Sequence, residues 1–292
     1  MLRFAMHFAS GNSLLSGLAM LLAAYGLVAG NRVRGRFTLM AVRLLVFLGI
    51  AFVVLSTTPM SGWLWMLVTL SVLPLVIRLM RPTGMSVVPS SGLGTPKATF
   101  MAIAIGVLWA EYGLAASPWP PSVSGSPIVV VGDSLSAAET DTRVTAWPAL
   151  IAGRGWTVDN RARMGATAAS AFRQAEGIAT SNSIVLLVIG GNDVLGSTTP
   201  AQFEVSLDKL VRQLQTDGTT IVMFELALPP LQFEWGRIQR RVAERYGCRL
   251  VTRRVIAEVL GGVGNTVDGI HLSQKGHEAM ARLVLERVLP EG

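Results

Sequence analysis

The sequence predicts an α/β domain built on a central parallel sheet, preceded by about four transmembrane helices. Two observations carry that expectation. From residue 128 onward, short runs of β-forming residues alternate with amphipathic stretches. Continuous apolar strands separated by helices indicate a parallel sheet covered on both faces. Before residue 117, four long apolar runs follow one another. The whole chain is 51% hydrophobic and 15% charged, too apolar for an ordinary soluble protein.

The apolar runs cover 13–29, 37–58, 62–77 and 98–116. A bilayer core needs about 20 apolar residues per helix. The first two runs fit, and the third is short and contains Pro74. The fourth fits if Glu111, near its end, lies at an interface beside Tyr112. A functional intramembrane carboxylate is the alternative for Glu111.

The net charge of +7 belongs to this region. Residues 1–116 hold eight basic side chains and one acid, whereas residues 117–292 hold seventeen of each. A basic excess confined to loops between apolar runs is a topology signal, not a nucleic-acid-binding face. Arg32, Arg34 and Arg36 mark the first loop, and Arg78, Arg81 and Lys97 the third. The second loop, 57–62, has none. Positive loops stay in the cytoplasm. The N-terminus, the second loop and everything after residue 116 are therefore expected outside, as in a multi-pass inner-membrane protein facing the periplasm. Arg43 is close enough to the inner surface to snorkel. A cleaved signal peptide fits less well, because a strongly basic loop would have to cross the membrane after cleavage.

Residues 117–127, "SPWPPSVSGSP", read as a linker. At roughly 3.1 Å per residue it spans at most about 35 Å and keeps the following domain near the membrane. That domain, 128–292, is long enough for one α/β unit. Its expected strands are 128–131, 156–160, 183–190, 219–228 and 248–252. Helices are expected near 168–180, 200–216, 234–246 and 273–288. Cys248 is the only cysteine, so no intrachain disulfide can form.

In open parallel sheets, working groups gather at the carboxyl ends of the strands. Ser134 follows the first strand in "IVVVGDSLSAAE". A serine there can shape a turn, cap a helix with Glu139 beyond it, or act as a nucleophile. Three other places favour the nucleophile. Gly165 follows the second strand, "GGND" (190–193) ends the third, and "DGIH" (268–271) lies before the last helix. Together they hold a nucleophile, a base, a group to orient the base, and oxyanion donors.

"GDSLS" (132–136), Gly165, "GGND" and "DGIH", in that order, resemble the blocks of the SGNH/GDSL hydrolase family. The stretch "GDSLSAAETDTRVTAWPAL" is similar to small bacterial thioesterase/lysophospholipase members. The resemblance covers about 128–290 and implies a three-layer, flavodoxin-like fold with no metal or cofactor. It implies Ser134 as nucleophile, His271 as base and Asp268 as its partner. The oxyanion would sit among the Ser134 N–H, the Gly165 N–H and the Asn192 side chain.

Asp133 is expected to tie up backbone groups around the turn, and Asp193 to fix the loop holding Asn192. His277 reads as structural and His7 as incidental. Glu225, ending the fourth strand, either binds substrate or pairs with an arginine. The arginine run 236–245 reads as a solvated helix face. Segments 226–235, with Phe233 and Trp235, and 194–200 are expected to wall the pocket. Apolar walls suit an acyl chain and aromatics a sugar ring. The expected substrate is thus a lipid acyl ester or thioester, or an acylated envelope glycan. In a third reading the helices are an assembly scaffold and the hydrolase a passenger.

Overall fold

The computed structural model describes residues 2–30, 32–33, 35–80, 94–113, 125–137, 144–178 and 180–289. A short helix, α1 (Leu2–Ala9), leads into α2 (Asn12–Ala29), α3 (Arg36–Val54), α4 (Gly62–Met80) and α5 (Gly94–Gly113). Three of these, α2, α3 and α4, are long and apolar enough to cross a membrane. The fourth expected run falls on α5, whose apolar stretch is shorter, Pro96–Trp109. Lys97 near its start and Glu111 near its end interrupt the apolar pattern. Pro74 lies inside α4 without ending it. Beside this gap in the ladder the Tyr25 hydroxyl donates to the Ser71 carbonyl. Arg43 donates from Nη2 to the Leu79 carbonyl at 2.6 Å, satisfying the end of α4. Arg34, Arg81 and residues 117–124 of the expected linker lie outside the described residues.

The second unit follows with β1 (Ile128–Gly132), α6 (Trp147–Ala152), β2 (Val158–Asn160), α7 (Ala168–Gln174), β3 (Ile184–Val188), α8 (Gly191–Leu195), α9 (Pro200–Leu214), β4 (Thr220–Phe224), α10 (Phe233–Arg245), β5 (Arg249–Val251), α11 (Arg253–Leu260) and α12 (Gln274–Leu283). A π-helical turn, Val284–Val288, extends the last helix. All five strands are parallel, in the order β2-β1-β3-β4-β5. β1 and β3 are fully buried, as their unbroken apolar runs require. Alternate strand residues feed two cores. Val129 and Val131 face α7, α9 and α10, while Ile128 and Val130 face α6, α11 and α12. Capping boxes at Thr167 and Thr199 start α7 and α9, and the Ser273 hydroxyl caps α12.

The strands are shorter than their apolar runs. β4 stops at Phe224 because Glu225 turns into a buried ion cluster. Arg240 Nε donates to Glu225 Oε1 at 2.6 Å, and Arg240 Nη1 lies 3.0 Å from Glu111 Oε2. Arg253 Nη1 reaches Glu225 Oε2 at 3.4 Å, and its Nη2 reaches Glu111 Oε1 at 2.5 Å. Glu111 is therefore not a lone carboxylate but is paired with two arginines of the second unit. Arg240 is the exception to the solvated-face reading of 236–245. Arg237, Arg241 and Arg245 follow that reading, pairing with Glu234, Glu204 and Asp208.

The loop 56–60 docks on the second unit too. Thr58 Oγ1 accepts from Arg253 Nη2 at 3.2 Å, and Thr57 Oγ1 donates to the Phe8 carbonyl. Gly11, at φ 78°, brings the α1–α2 turn onto the Arg253 guanidinium. A Cβ there would sit 2.3 Å from Nη2, so a larger residue would strain the turn and displace the guanidinium from the cluster.

Breaking a buried ion pair from one side typically costs about 3–5 kcal/mol. Glu111→Ala should lower the unfolding free energy of the detergent-solubilised protein by about that much. Glu111→Gln, which keeps an acceptor, should lose less. Melting unchanged in both would contradict the cluster.

Candidate active site

The first strand delivers Ser134 into a turn held from several sides. The Asp133 N–H donates to the Val188 carbonyl at 3.1 Å, and Asp133 Oδ1 accepts from the Leu135 N–H. Trp147 Nε1 donates to the Leu135 carbonyl at 2.9 Å, and Asn160 Nδ2 to the Ser136 carbonyl at 3.1 Å. Ser134 itself is half-buried. Among the described residues it caps no helix, because the chain continues as turn and bend through residue 137. Glu139 lies outside the described residues.

Gly165 follows β2 at φ 71°, a left-handed conformation that a side chain would strain. Gly190, at φ 117°, turns β3 into α8, whose first turn carries Asn192 and Asp193. Asn192 Nδ2 donates to the Ala166 carbonyl at 3.0 Å, and the Ala168 N–H donates to Asp193 Oδ2 at 2.8 Å. Both bonds lock the β2 and β3 loops together, so Asp193 fixes its loop as expected.

Before α12, Asp268 and His271 meet directly. His271 Nδ1 lies 2.6 Å from Asp268 Oδ2, while Asp268 Oδ1 accepts the backbone N–H groups of Ile270 and His271. The His271 hydrogen bond, with those amides, pulls the Asp268 carboxyl down to about 2. An ionised Asp268 on Nδ1 leaves Nε2 as the free basic nitrogen. No hydrogen bond joins Ser134 to His271 among the described residues. Catalytic hydrogen bonds are often loose until substrate is bound.

Three of these loops, after β1, after β3 and before α12, border one largely apolar cavity of about 290 Å³, which is lined by neighbours of the candidate residues rather than by Ser134, Gly165, Asn192, Asp268 or His271 themselves. Asp133 and Leu135 flank Ser134 on its wall, Gly191 flanks Asn192, and Gly269 and Ile270 lie between Asp268 and His271. Leu195 and Val194 line it, as expected for segment 194–200. From 226–235 the lining comes from Leu226, Ala227, Leu228, Pro229 and Pro230. The expected aromatic wall is corrected. Trp235 is buried against Phe203, with ring centroids 5.0 Å apart, and Phe233 packs near Trp65 and under Arg237.

Glu225 touches the cavity floor but is fully buried. Burial opposes its charge, yet Arg240 and Arg253 outweigh burial and hold its carboxyl below the ordinary range. It pairs with arginines. His277 is buried, and its Nδ1 accepts from the Trp147 N–H at 3.3 Å, a structural role. The His7 ring meets the Ser16 hydroxyl at 3.1 Å, and the His7 carbonyl accepts from the Ser10 hydroxyl, both away from the candidate residues. Sequence reasoning did not single out Arg253. Its signal was two arginines opening a helix, where the dipole disfavours cations unless a carboxylate is near.

A parallel sheet bearing these loops at its carboxyl edge is the architecture of an ester-cleaving serine hydrolase. Residues 130–279 match the GDSL-like Lipase/Acylhydrolase family, and the chain belongs to it. Over 159 residues it is 29% identical to Esterase TesA of Pseudomonas aeruginosa, which covers 49% of this chain and 78% of that protein. An arylesterase of Vibrio mimicus is 26% identical over 117 residues, 37% of this chain and 58% of that one. The crystal structure of the psychrotrophic esterase EstA from Pseudoalteromonas sp. shares the fold. It superposes with a TM-score of 0.50 at 19% identity, covering 56% of this chain and 96% of that one.

Burial pushes the Asp133 carboxyl up to about 6, against the amides of Leu135 and Gly191, with the Asp193 charge adding to the rise. A raised folded value favours the protonated native state at low pH, and that stability is lost as pH rises through about 6. The gain from Asp133→Asn should therefore grow between about pH 4 and 6 and level off above about 7. Melting curves of both proteins across that range check it. A pH-independent difference would contradict the assignment.

Proposed function

We propose that the chain is a membrane-anchored serine esterase whose nucleophile is Ser134. Ser134 Oγ attacks the ester carbonyl as His271 Nε2 takes its proton. The oxyanion is held by the Ser134 N–H, the Gly165 N–H and the Asn192 amide. His271 then protonates the leaving alcohol, or thiol, as the carbonyl–heteroatom bond breaks. Water, deprotonated by His271, attacks the acyl-enzyme carbonyl; the acyl–Oγ bond breaks as His271 returns the proton to Ser134 Oγ, and the acid is released. Asp268 orients His271 throughout. The observation that carries this reading is the short Asp268–His271 contact beside the cavity that also borders the Ser134 and Asn192 loops.

Residues 1–116 serve as the membrane region, 117–127 as the linker and 128–292 as the hydrolase domain, facing outward. The start of α2, the end of α3, the start of α4 and the end of α5 all lie towards contacts with the second unit, through α1, Thr57, Thr58 and Glu111. Arg32, Arg36 and Arg78 mark the opposite ends. That alternation supports four passes, with α5 the least apolar. The shared ion cluster speaks against the passenger reading. The apolar lining favours an acyl chain over a glycan.

Removing one oxyanion donor costs about 10²–10³ in kcat. Asn192→Ala should fall by that factor, and Ser134→Ala should be reduced to background in p-nitrophenyl ester hydrolysis. Wild-type turnover by Ser134→Ala would sink the assignment. Turnover of acetate alone would favour the envelope-glycan O-acetyl esterase instead. Reporter fusions at residues 34 and 120 should fall on opposite sides of the membrane, and a same-side result would overturn the topology.

A further inference from the structure

The cavity beside the candidate active site is not built from the hydrolase domain alone. Ala5, Met6 and Ala9 of α1 line it together with Leu135, Gly191 and Ile270. α1 lies outside the region matched to the family, which begins at residue 130. It is anchored rather than adventitious. Met6 packs on Gly261, whose added Cβ would lie 3.3 Å from the Met6 side chain, and joins the core around Ile256 and Leu260. Phe8 is buried, stacks near Phe52 at 5.1 Å, and has its carbonyl held by Thr57. Those contacts fix the helix so that its small residues border the cavity.

We propose that α1 is part of the acyl-chain site, with Met6 the residue that sets the chain length. This rests on Ser134 being the nucleophile. The cavity of about 290 Å³ has room for a medium-length acyl tail. The tail lies against Met6 and Ala9, while the carbonyl stays at Ser134. Met6 has a flexible, unbranched side chain, so its length is what limits the tail. Ala5 is exposed on its outer side, and enlarging it adds bulk without disturbing a packed core.

The test uses the full-length protein in detergent and p-nitrophenyl acetate, butyrate, octanoate and laurate. Met6→Ala should raise the laurate-to-octanoate ratio of kcat/KM about tenfold, the effect of a methylene or two of pocket. Ala5→Leu should lower the octanoate-to-acetate ratio of kcat/KM about tenfold, chiefly through a higher octanoate KM. Melting temperature is measured alongside, and if Met6→Ala does not fold, Ala5→Leu decides alone. Chain-length ratios unmoved in folded variants would overturn the proposal, as would a wild type inert towards octanoate. The Ser134→Ala control separates the two failures. Activity that survives it defeats the nucleophile, whereas Ser134-dependent activity with unmoved ratios defeats only the role of α1.

Discussion

The Glu225 carboxylate has no access to water, and four hydrogen bonds from Arg240 and Arg253 hold it charged at the end of β4. Two arginines against one carboxylate would leave a buried positive charge. Glu111, at the far end of the last apolar helix, balances it. Burying a single ion costs several kcal/mol, so the four groups stand or fall together. Two come from opposite faces of the hydrolase sheet, on α10 and α11, one from the strand between them, and one from α5. Through Thr58 and Gly11 the same cluster holds the turns at the ends of α2, α3 and α4.

This joint lies beneath the cavity, and that position links it to the chemistry. Glu225 ends the strand whose next residues, Leu226 to Pro230, form the cavity wall. Arg253 starts α11, which carries Ile256 and Leu260 to the same wall and supports α1. The polar side of the site is held separately, by loops bonded to one another at the carboxyl ends of β1, β2 and β3. One side of the cavity is therefore set by local loop geometry, and the other by how the two units meet.

The difference between those two sides is also the difference between what the sequence made legible and what it hid. Asp268 and His271 are three residues apart, and their contact follows from one turn of chain. Ser134 and Asn192 follow apolar strands and Gly165 follows the short polar strand β2, so the parallel-sheet rule brings them to one edge. α9 and α10 were readable because they are long and amphipathic, α9 with a capping box at Thr199 as well. α1, α6, α8 and α11 were not, being five to eight residues long with too few repeats to show a period. Glu111 and Arg253 are separated by 142 positions, and no local spacing relates them. Trp235 was misplaced because an aromatic next to a predicted pocket fits core and wall equally well, and only packing against Phe203 decides.

The charge balance of the joint also bears on descent. A hydrolase domain moved onto a different helical unit would carry two buried arginines and one carboxylate with it. The helical unit moved without its hydrolase would carry an unpaired acid at the end of an apolar helix. Neither half is neutral to exchange, so gain or loss of the joint takes paired changes on segments far apart in the gene. Chains that share Glu111 with Arg240 and Arg253 would thus have inherited both halves as one unit, rather than acquiring the helices as an interchangeable tether.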